Sequence, residues 1–279
     1  MAGLCGVLGY VLGLLVVSFL AADPVETELR ARFETDSAAL ELALALYARS
    51  GTIVSTIPEA EDFDGGYRGI IRIVPQLPVG PERRHLEYVV ATLAYYDEFF
   101  AAVEKAAGKA PRYRWQNLKL QFFKSLKRRT PAAFASRWTV SYNVNGTLNG
   151  SEKQVKDLMF HELFHLNDAD HGGWTTKALG FTHASIRVRC GTKVDCLAPF
   201  APDPLIVRGG TYYSFMPGNG PEEYGADLAL RYFREQRDAL AGKPVKKPFK
   251  CGPPENARVW KELVDEFFAG ADAVPACAK

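Results

Sequence analysis

Ser151-Glu152-Lys153-Gln154-Val155-Lys156-Asp157-Leu158-Met159-Phe160-His161-Glu162-Leu163-Phe164-His165-Leu166 is the stretch on which the reading of this chain turns. A serine followed three residues later by glutamine has the form of a capping box, in which the serine oxygen takes an orphan backbone N–H at the start of a helix. The pattern predicts a helix opening at Ser151 and running to about Leu166. Val155, Leu158, Met159, Phe160, Leu163, Phe164 and Leu166 surround that helix, so most of its sides should be buried. Two imidazoles and a carboxylate are set into this apolar surface, and polar groups taken out of water need partners. Residues four apart share a helix face. His161 and His165 can therefore aim nitrogens at one ion, with Glu162 one step around the same face. Two histidines hydrogen-bonded within the core would be the plainer reading, but the chain has only five histidines, and two of them flank a glutamate here.

Two neutral imidazoles bind zinc and leave room for a third ligand and a water, whose pKa the metal lowers towards about 7. Glu162 can then act as general base, taking the water's proton and passing it to a leaving amine. The best third ligand lies in Gly220-Pro221-Glu222-Glu223-Tyr224-Gly225-Ala226-Asp227-Leu228-Ala229-Leu230, which reads as a second helix with proline near its start. Glu223 and Asp227 are one turn apart. Glu223 can complete a His₂Glu site, and Asp227 can accept the N–H of a ligand histidine and fix its tautomer. Favourable acidic charge at a helix start would explain Glu222 and Glu223, but not Asp227, which lies beyond the first turn.

The combination of His161-Glu162-Leu163-Phe164-His165 with Glu223-Tyr224-Gly225-Ala226-Asp227-Leu228-Ala229-Leu230 resembles the gluzincin metallopeptidases, a clan that includes thermolysin and neprilysin. The resemblance covers two helices. It implies His161, His165 and Glu223 as zinc ligands, Glu162 as base and Asp227 as the residue that orients a ligand. It also implies a zincin-like fold, a twisted sheet beside the active-site helix with an edge strand that binds extended peptide. The order of elements along the chain, helix, strands, helix, strands and then further C-terminal helices, itself suggests an α+β domain. The expected function is that of a secreted zinc metallopeptidase, hydrolysing peptide bonds through a zinc-bound water activated by Glu162. For the group that stabilises the oxyanion, Tyr212, Tyr213, His183 and Arg208 are all candidates.

Three other readings compete. His171 follows His165 at the third-ligand spacing of the metzincins, and Ser214-Phe215-Met216-Pro217 could form their methionine-containing turn. Asp168, however, stands where those proteins have glycine. Asp195 is a further ligand candidate, displaced by one residue from the Asp-liganded pattern. A non-catalytic, zinc-containing secreted binding protein is the alternative from another class, and an intact Glu162 argues against it.

The rest of the chain sets the context. A formal charge of +2, from 34 basic and 32 acidic side chains, gives no general field for nucleic acid; the metallopeptidase reading itself implies a peptide or protein substrate. The basic cluster between Lys119 and Arg129 reads as a solvated face. Leu4 to Ala22 is an apolar run without charge, ending in small residues before Asp23-Pro24. It predicts a signal peptide over 1–22, or an N-terminal anchor that would put the protein at a membrane, followed by a metallopeptidase domain over 23–279. The four cysteines beyond the leader, Cys190, Cys196, Cys251 and Cys277, suit two disulfides and a secreted or extracytoplasmic location. Nearest-neighbour pairing would join Cys190 to Cys196 and Cys251 to Cys277.

Apolar spacing further predicts helices over Glu26–Arg49 and Pro81–Lys109. Strands are predicted over Thr52–Ile57, Arg68–Val74, Arg112–Phe122 and Arg137–Val144, the last closing at the turn dipeptide Asn145-Gly146. Asn145-Gly146-Thr147 also matches a glycosylation acceptor, although a turn explains it more simply.

Overall fold

Asp23 opens the chain described by the computed structural model, its carboxylate capping a first helix by accepting from the Val25 N–H at 2.8 Å. Residues 23–207 and 209–278 are described; the apolar leader with Cys5, and the oxyanion candidate Arg208, lie outside the described residues. The expected helix over 26–49 is two helices, α1 (Pro24–Arg32) and α2 (Ser37–Ser50). The break has a local cause. Asp36 accepts the Ala39 N–H at 3.1 Å and the Gly80 N–H at 2.7 Å, so it starts a new helix while Phe33 turns fully into the core. Gly51, at φ +66°, ends α2 in the left-handed conformation that glycine adopts without strain.

The strands are β1 (Ile53–Thr56), β2 (Glu61–Asp64), β3 (Ile70–Pro75), β4 (Lys119–Ser125), β5 (Ala133–Ser136) and β6 (Thr139–Asn143). They form one mixed sheet in the order β2-β3-β4-β6-β5, with β1 alongside β4. β4 is central. It runs parallel to β1 and β6 and antiparallel to β3, which takes over from β1 along the same edge of β4. β5 pairs antiparallel with β6 and forms the end of the sheet next to the helix over Glu152–Asp170. The expected strand from Arg112 begins only at Lys119, because Asn117 sits at φ +57° and breaks the extended run.

α3 (Arg83–Ala107) crosses between sheet and helices, and α4 (Glu152–Asp170) packs against α3, β5 and α8 (Pro221–Leu240). Between α4 and α8 come α5 (Trp174–Ala178), α6 (Gly180–Cys190), α7 (Val194–Leu197) and the short ribbon β7 (Ile206–Val207)–β8 (Thr211–Tyr212); α9 (Pro254–Phe267) closes the set. The architecture is α+β, with the sheet beside the helix that carries the histidines. Among the described residues no helix is long and apolar enough to cross a membrane.

Aromatic packing holds α4 in place. Phe160 is fully buried and stacks on Tyr113 at 4.8 Å and on Phe233 of α8 at 4.4 Å. Burying one such ring contributes about 1.5–3 kcal/mol. Tyr96 and Tyr113 also donate their hydroxyls to the α4 carbonyls of Lys156 and Phe160, at 2.5 and 2.7 Å. Both disulfides form the nearest pairs, Cys190–Cys196 and Cys251–Cys277, with Cα separations of 5.4 and 5.2 Å.

Candidate metal centre

Ser151 caps α4 as expected, its oxygen accepting from the Gln154 N–H at 3.3 Å. The helix then continues past Leu166 to Asp170, because the polar residues there are consumed by tertiary contacts. Buried Asn167 exchanges hydrogen bonds with the backbone of Arg114 at 2.7 and 2.9 Å, and Asp168 accepts from the Thr175 N–H and hydroxyl at 2.7 and 2.8 Å. α8 starts with Pro221 in its first turn, where the position has no use for an N–H.

The two helices face each other along a seam. Gly225 makes the close approach possible: a Cβ there would stand 2.3 Å from the Thr175 methyl and 3.0 Å from the Phe164 ring. Opposed across this seam, His161 Nε2 lies 3.1 Å from Glu223 Oε2 and 3.2 Å from His165 Nε2, and His165 Nε2 lies 3.5 Å from Glu223 Oε2. His161 Nδ1 faces Asp227 Oδ1 at 3.3 Å. With its Nδ1–H donated to that carboxylate, His161 turns an Nε2 lone pair toward a second imidazole nitrogen and a carboxylate oxygen. With both imidazoles neutral, three electron-rich atoms converging this closely repel, and either a proton on one ring or a cation among them relieves the repulsion. His161, His165 and Glu223 are the group of the described residues that could hold a metal ion.

Without a metal, a proton on His161 takes that place. Burial opposes charge on His161, but hydrogen bonds to Asp227 and Glu223 outweigh it and hold its pKa well above the usual imidazole value. Burial also works against the Glu223 carboxylate, yet contact with His161 and His165 depresses its pKa strongly. Glu162 differs from both. It is 7% exposed, and the charges that bear on it are those of His161, His165 and Glu223. Burial raises its pKa, against the opposing influence of His161 and His165. Asp227 is raised chiefly by burial as well, and one of its oxygens, Oδ2, is buried without a partner.

The remaining candidates lie apart from the triangle. His171 ends α4, bound through Nδ1 to Glu266 Oε1 at 2.6 Å and tilted on Phe267. Asp195 is exposed in the loop closed by the Cys190–Cys196 bridge. Met216 is half-buried after the turn Tyr213–Phe215. Of the oxyanion candidates, Tyr213 lies beside the site, with its ring centroid 6.2 Å from that of His161. Burial first, then the charges of Glu223, Glu162 and Asp227, push its phenol well above the ordinary value. His183 instead stacks on Phe215 and donates from Nε2 to the Ser214 carbonyl at 3.0 Å, supporting the turn that carries Tyr213.

Gly225 carried no sequence signal beyond being a glycine between two acids. The contact of Asp157 with Arg234 Nη2 at 2.9 Å, one turn before His161, went unread because a surface ion pair and a seam contact look alike in sequence. No family model, no curated protein and no solved structure matches this chain.

Proposed function

We propose that the chain is a secreted, zinc-dependent metallopeptidase of gluzincin type on a zincin-like fold. The observation that carries this reading is the convergence of His161 Nε2, His165 Nε2 and Glu223 Oε2, with the buried Glu162 on the same helix as the two histidines. Zinc bonds of about 2.0–2.2 Å in tetrahedral geometry require donor atoms roughly 3.3 Å apart. The separations of 3.1, 3.2 and 3.5 Å bracket that value. Two imidazoles and one carboxylate also match the donor set of catalytic zinc, which keeps a fourth position open.

Bound there, zinc supplies Lewis acidity, lowering the pKa of water and polarising a carbonyl. Glu162 accepts the proton of the attacking water at a carboxylate oxygen and returns it to the leaving amine nitrogen. Asp227 keeps His161 in the tautomer that presents Nε2. Tyr213, held as the neutral phenol, is the donor available to the substrate oxygen that gains charge. An extended peptide along β5, the sheet's end strand beside α4, would lie next to these groups.

Two disulfides support an extracytoplasmic setting. The metzincin alternative loses its support where His171 pairs with Glu266. The test is Glu162→Gln, which keeps the side-chain shape but cannot take a proton. Zinc content and fold should be unchanged while hydrolysis of an unfolded protein substrate falls by about 10²–10⁴-fold. Activity within a few-fold of the parent would remove Glu162 from the mechanism. Zinc-loaded protein that cleaves nothing in a broad peptide library would favour a binding protein.

A further inference from the structure

Arg234 lies seven residues after Asp227 on α8, two helical turns along the same face. Asp157 lies four before His161 on α4, again on one face. Arg234 donates from Nε and Nη2 to Asp157 Oδ2 at 3.1 and 2.9 Å. The contacts along the seam therefore run in antiparallel order: Asp157 with Arg234, His161 with Asp227, His165 with Glu223. The first of these repeats the polar pairing of the metal site farther along the same interface.

The third arm of the guanidinium leads elsewhere. Nη1 donates to Asp203 Oδ2, in the segment before β7. Asp203 Oδ1 accepts the Leu205 N–H at 2.9 Å, and the Leu205 carbonyl accepts the Tyr213 N–H at 3.0 Å. One side chain thus ties together α4, α8 and the ribbon that delivers Tyr213. The partners are well enclosed, with side-chain exposures of 16% for Asp157 and 13% for Asp203. Asp157 Oδ1 is buried and has no partner, so Arg234 supplies the compensation for that carboxylate.

We propose that Arg234 is a positioning residue for the metal centre, setting the register of α8 against α4 and the placement of Tyr213 through a forked contact with Asp157 and Asp203. Planarity is essential to the role. A guanidinium makes fixed bonds in three directions, whereas an ammonium of the same charge offers one point and a flexible stem. Metal ligands tolerate displacements of only a few tenths of an ångström, so a small slip along this seam spoils the donor triangle. The inference rests on the metal-site reading above.

The test uses the full chain carrying Arg234→Lys, Arg234→Met or Asp157→Asn, with Arg49→Met as control. Arg49 pairs with Asp97 at 2.7 Å between α2 and α3, away from the seam. Zinc affinity is read by competition with a chromophoric chelator, and ligand geometry by visible absorption after cobalt substitution. Arg234→Met should weaken zinc binding about 10–100-fold and shift or broaden the cobalt bands. Arg234→Lys should fall in the same direction while circular dichroism stays that of the parent. The double variant Asp157→Asn/Arg234→Met should bind no more weakly than the poorer single variant, within about threefold, because both remove one contact. The control should move neither readout. If the parent takes up neither zinc nor cobalt, the metal-site reading fails and the clamp fails with it. If the parent binds and all Arg234 variants bind equally well with the parent spectrum, losing only melting temperature, the clamp alone is overturned.

Discussion

The His161–His165 site and the His85 cluster both bury imidazole beside carboxylate, yet they are opposite in polarity. His85, near the start of α3, is 2% exposed; its Nδ1 faces the Tyr142 hydroxyl at 3.0 Å and its Nε2 faces Glu82 at 3.3 Å. Only Nδ1 is hydrogen-bonded, to the Tyr142 phenol; Nε2 and Glu82 Oε2, although 3.3 Å apart, are both buried without a hydrogen bond, so that pair is held by proximity of opposite polarity alone. His171 and His183 likewise have one complementary partner each, Glu266 and the Ser214 carbonyl. At the seam the Nε2 atoms of two imidazoles and a carboxylate oxygen converge on one another around one point. A structural histidine is recognised by a single complementary partner, and a ligand histidine by several donor atoms gathered around a point that a proton or a metal ion can occupy.

The sharpest way to break this contrast is to remove a corner of the triangle. Glu223→Ala should lose nearly all zinc on dialysis with circular dichroism retained, whereas His171→Ala, which loses contacts to Glu266 and Phe267 outside the triangle, should keep it. The reverse result would restore the metzincin ligand set. Gly225→Ala comes next. The added methyl overlaps Thr175 and crowds Phe164, so overpacking should cost about 1–3 kcal/mol in denaturant unfolding and weaken zinc as α8 is pushed off α4. Unchanged stability and affinity would mean that the seam is not tight. Asp227→Asn should be milder for the fold, costing about 10–100-fold in zinc affinity or activity without abolishing the site.

Much of this site was legible in the sequence, and the reason is local. The periodicity of α4 put His161, Glu162 and His165 on one apolar helix, and α8 repeated the logic with Glu223 and Asp227. What joins the two helices was not legible. Gly225, Asp157 and Arg234 act only across the seam, where no spacing within one segment announces a partner on another. Tyr213 remained one of four candidates for the same reason. In the fold, β5 went unseen because Ala133-Phe134-Ala135-Ser136 has little β-forming character and is a strand through its pairing with β6. The division of α1 from α2 depends on Asp36 contacting Gly80 and Arg83, both distant in sequence.

Acid separates the two kinds of histidine at smaller scale. In the metal-free protein the raised pKa of His161 means that zinc must displace a proton, so apparent affinity should fall about tenfold per pH unit for each proton displaced. A competition titration from pH 8 to 5.5 measures this, and a flat profile would remove His161 from the ligand set. His85 and His183 are depressed, chiefly by burial. A base whose folded pKa is lowered contributes stability that is present above its unfolded value, near 6.5, and is lost as pH falls through the folded pKa. Melting temperature should therefore decline on acidification below pH 6.5, and His85→Gln should flatten that decline. An equally steep decline in the variant would remove His85 as its source.

Anomalous diffraction at the zinc absorption edge, from crystals of the zinc-loaded protein, bears most directly on the central claim. A single strong peak should lie about 2.0–2.2 Å from His161 Nε2, His165 Nε2 and a Glu223 carboxylate oxygen, with Glu162 close by but not bonded to the metal. A peak at His171 and Glu266, or zinc-loaded crystals with no peak within bonding distance of His161, would contradict it.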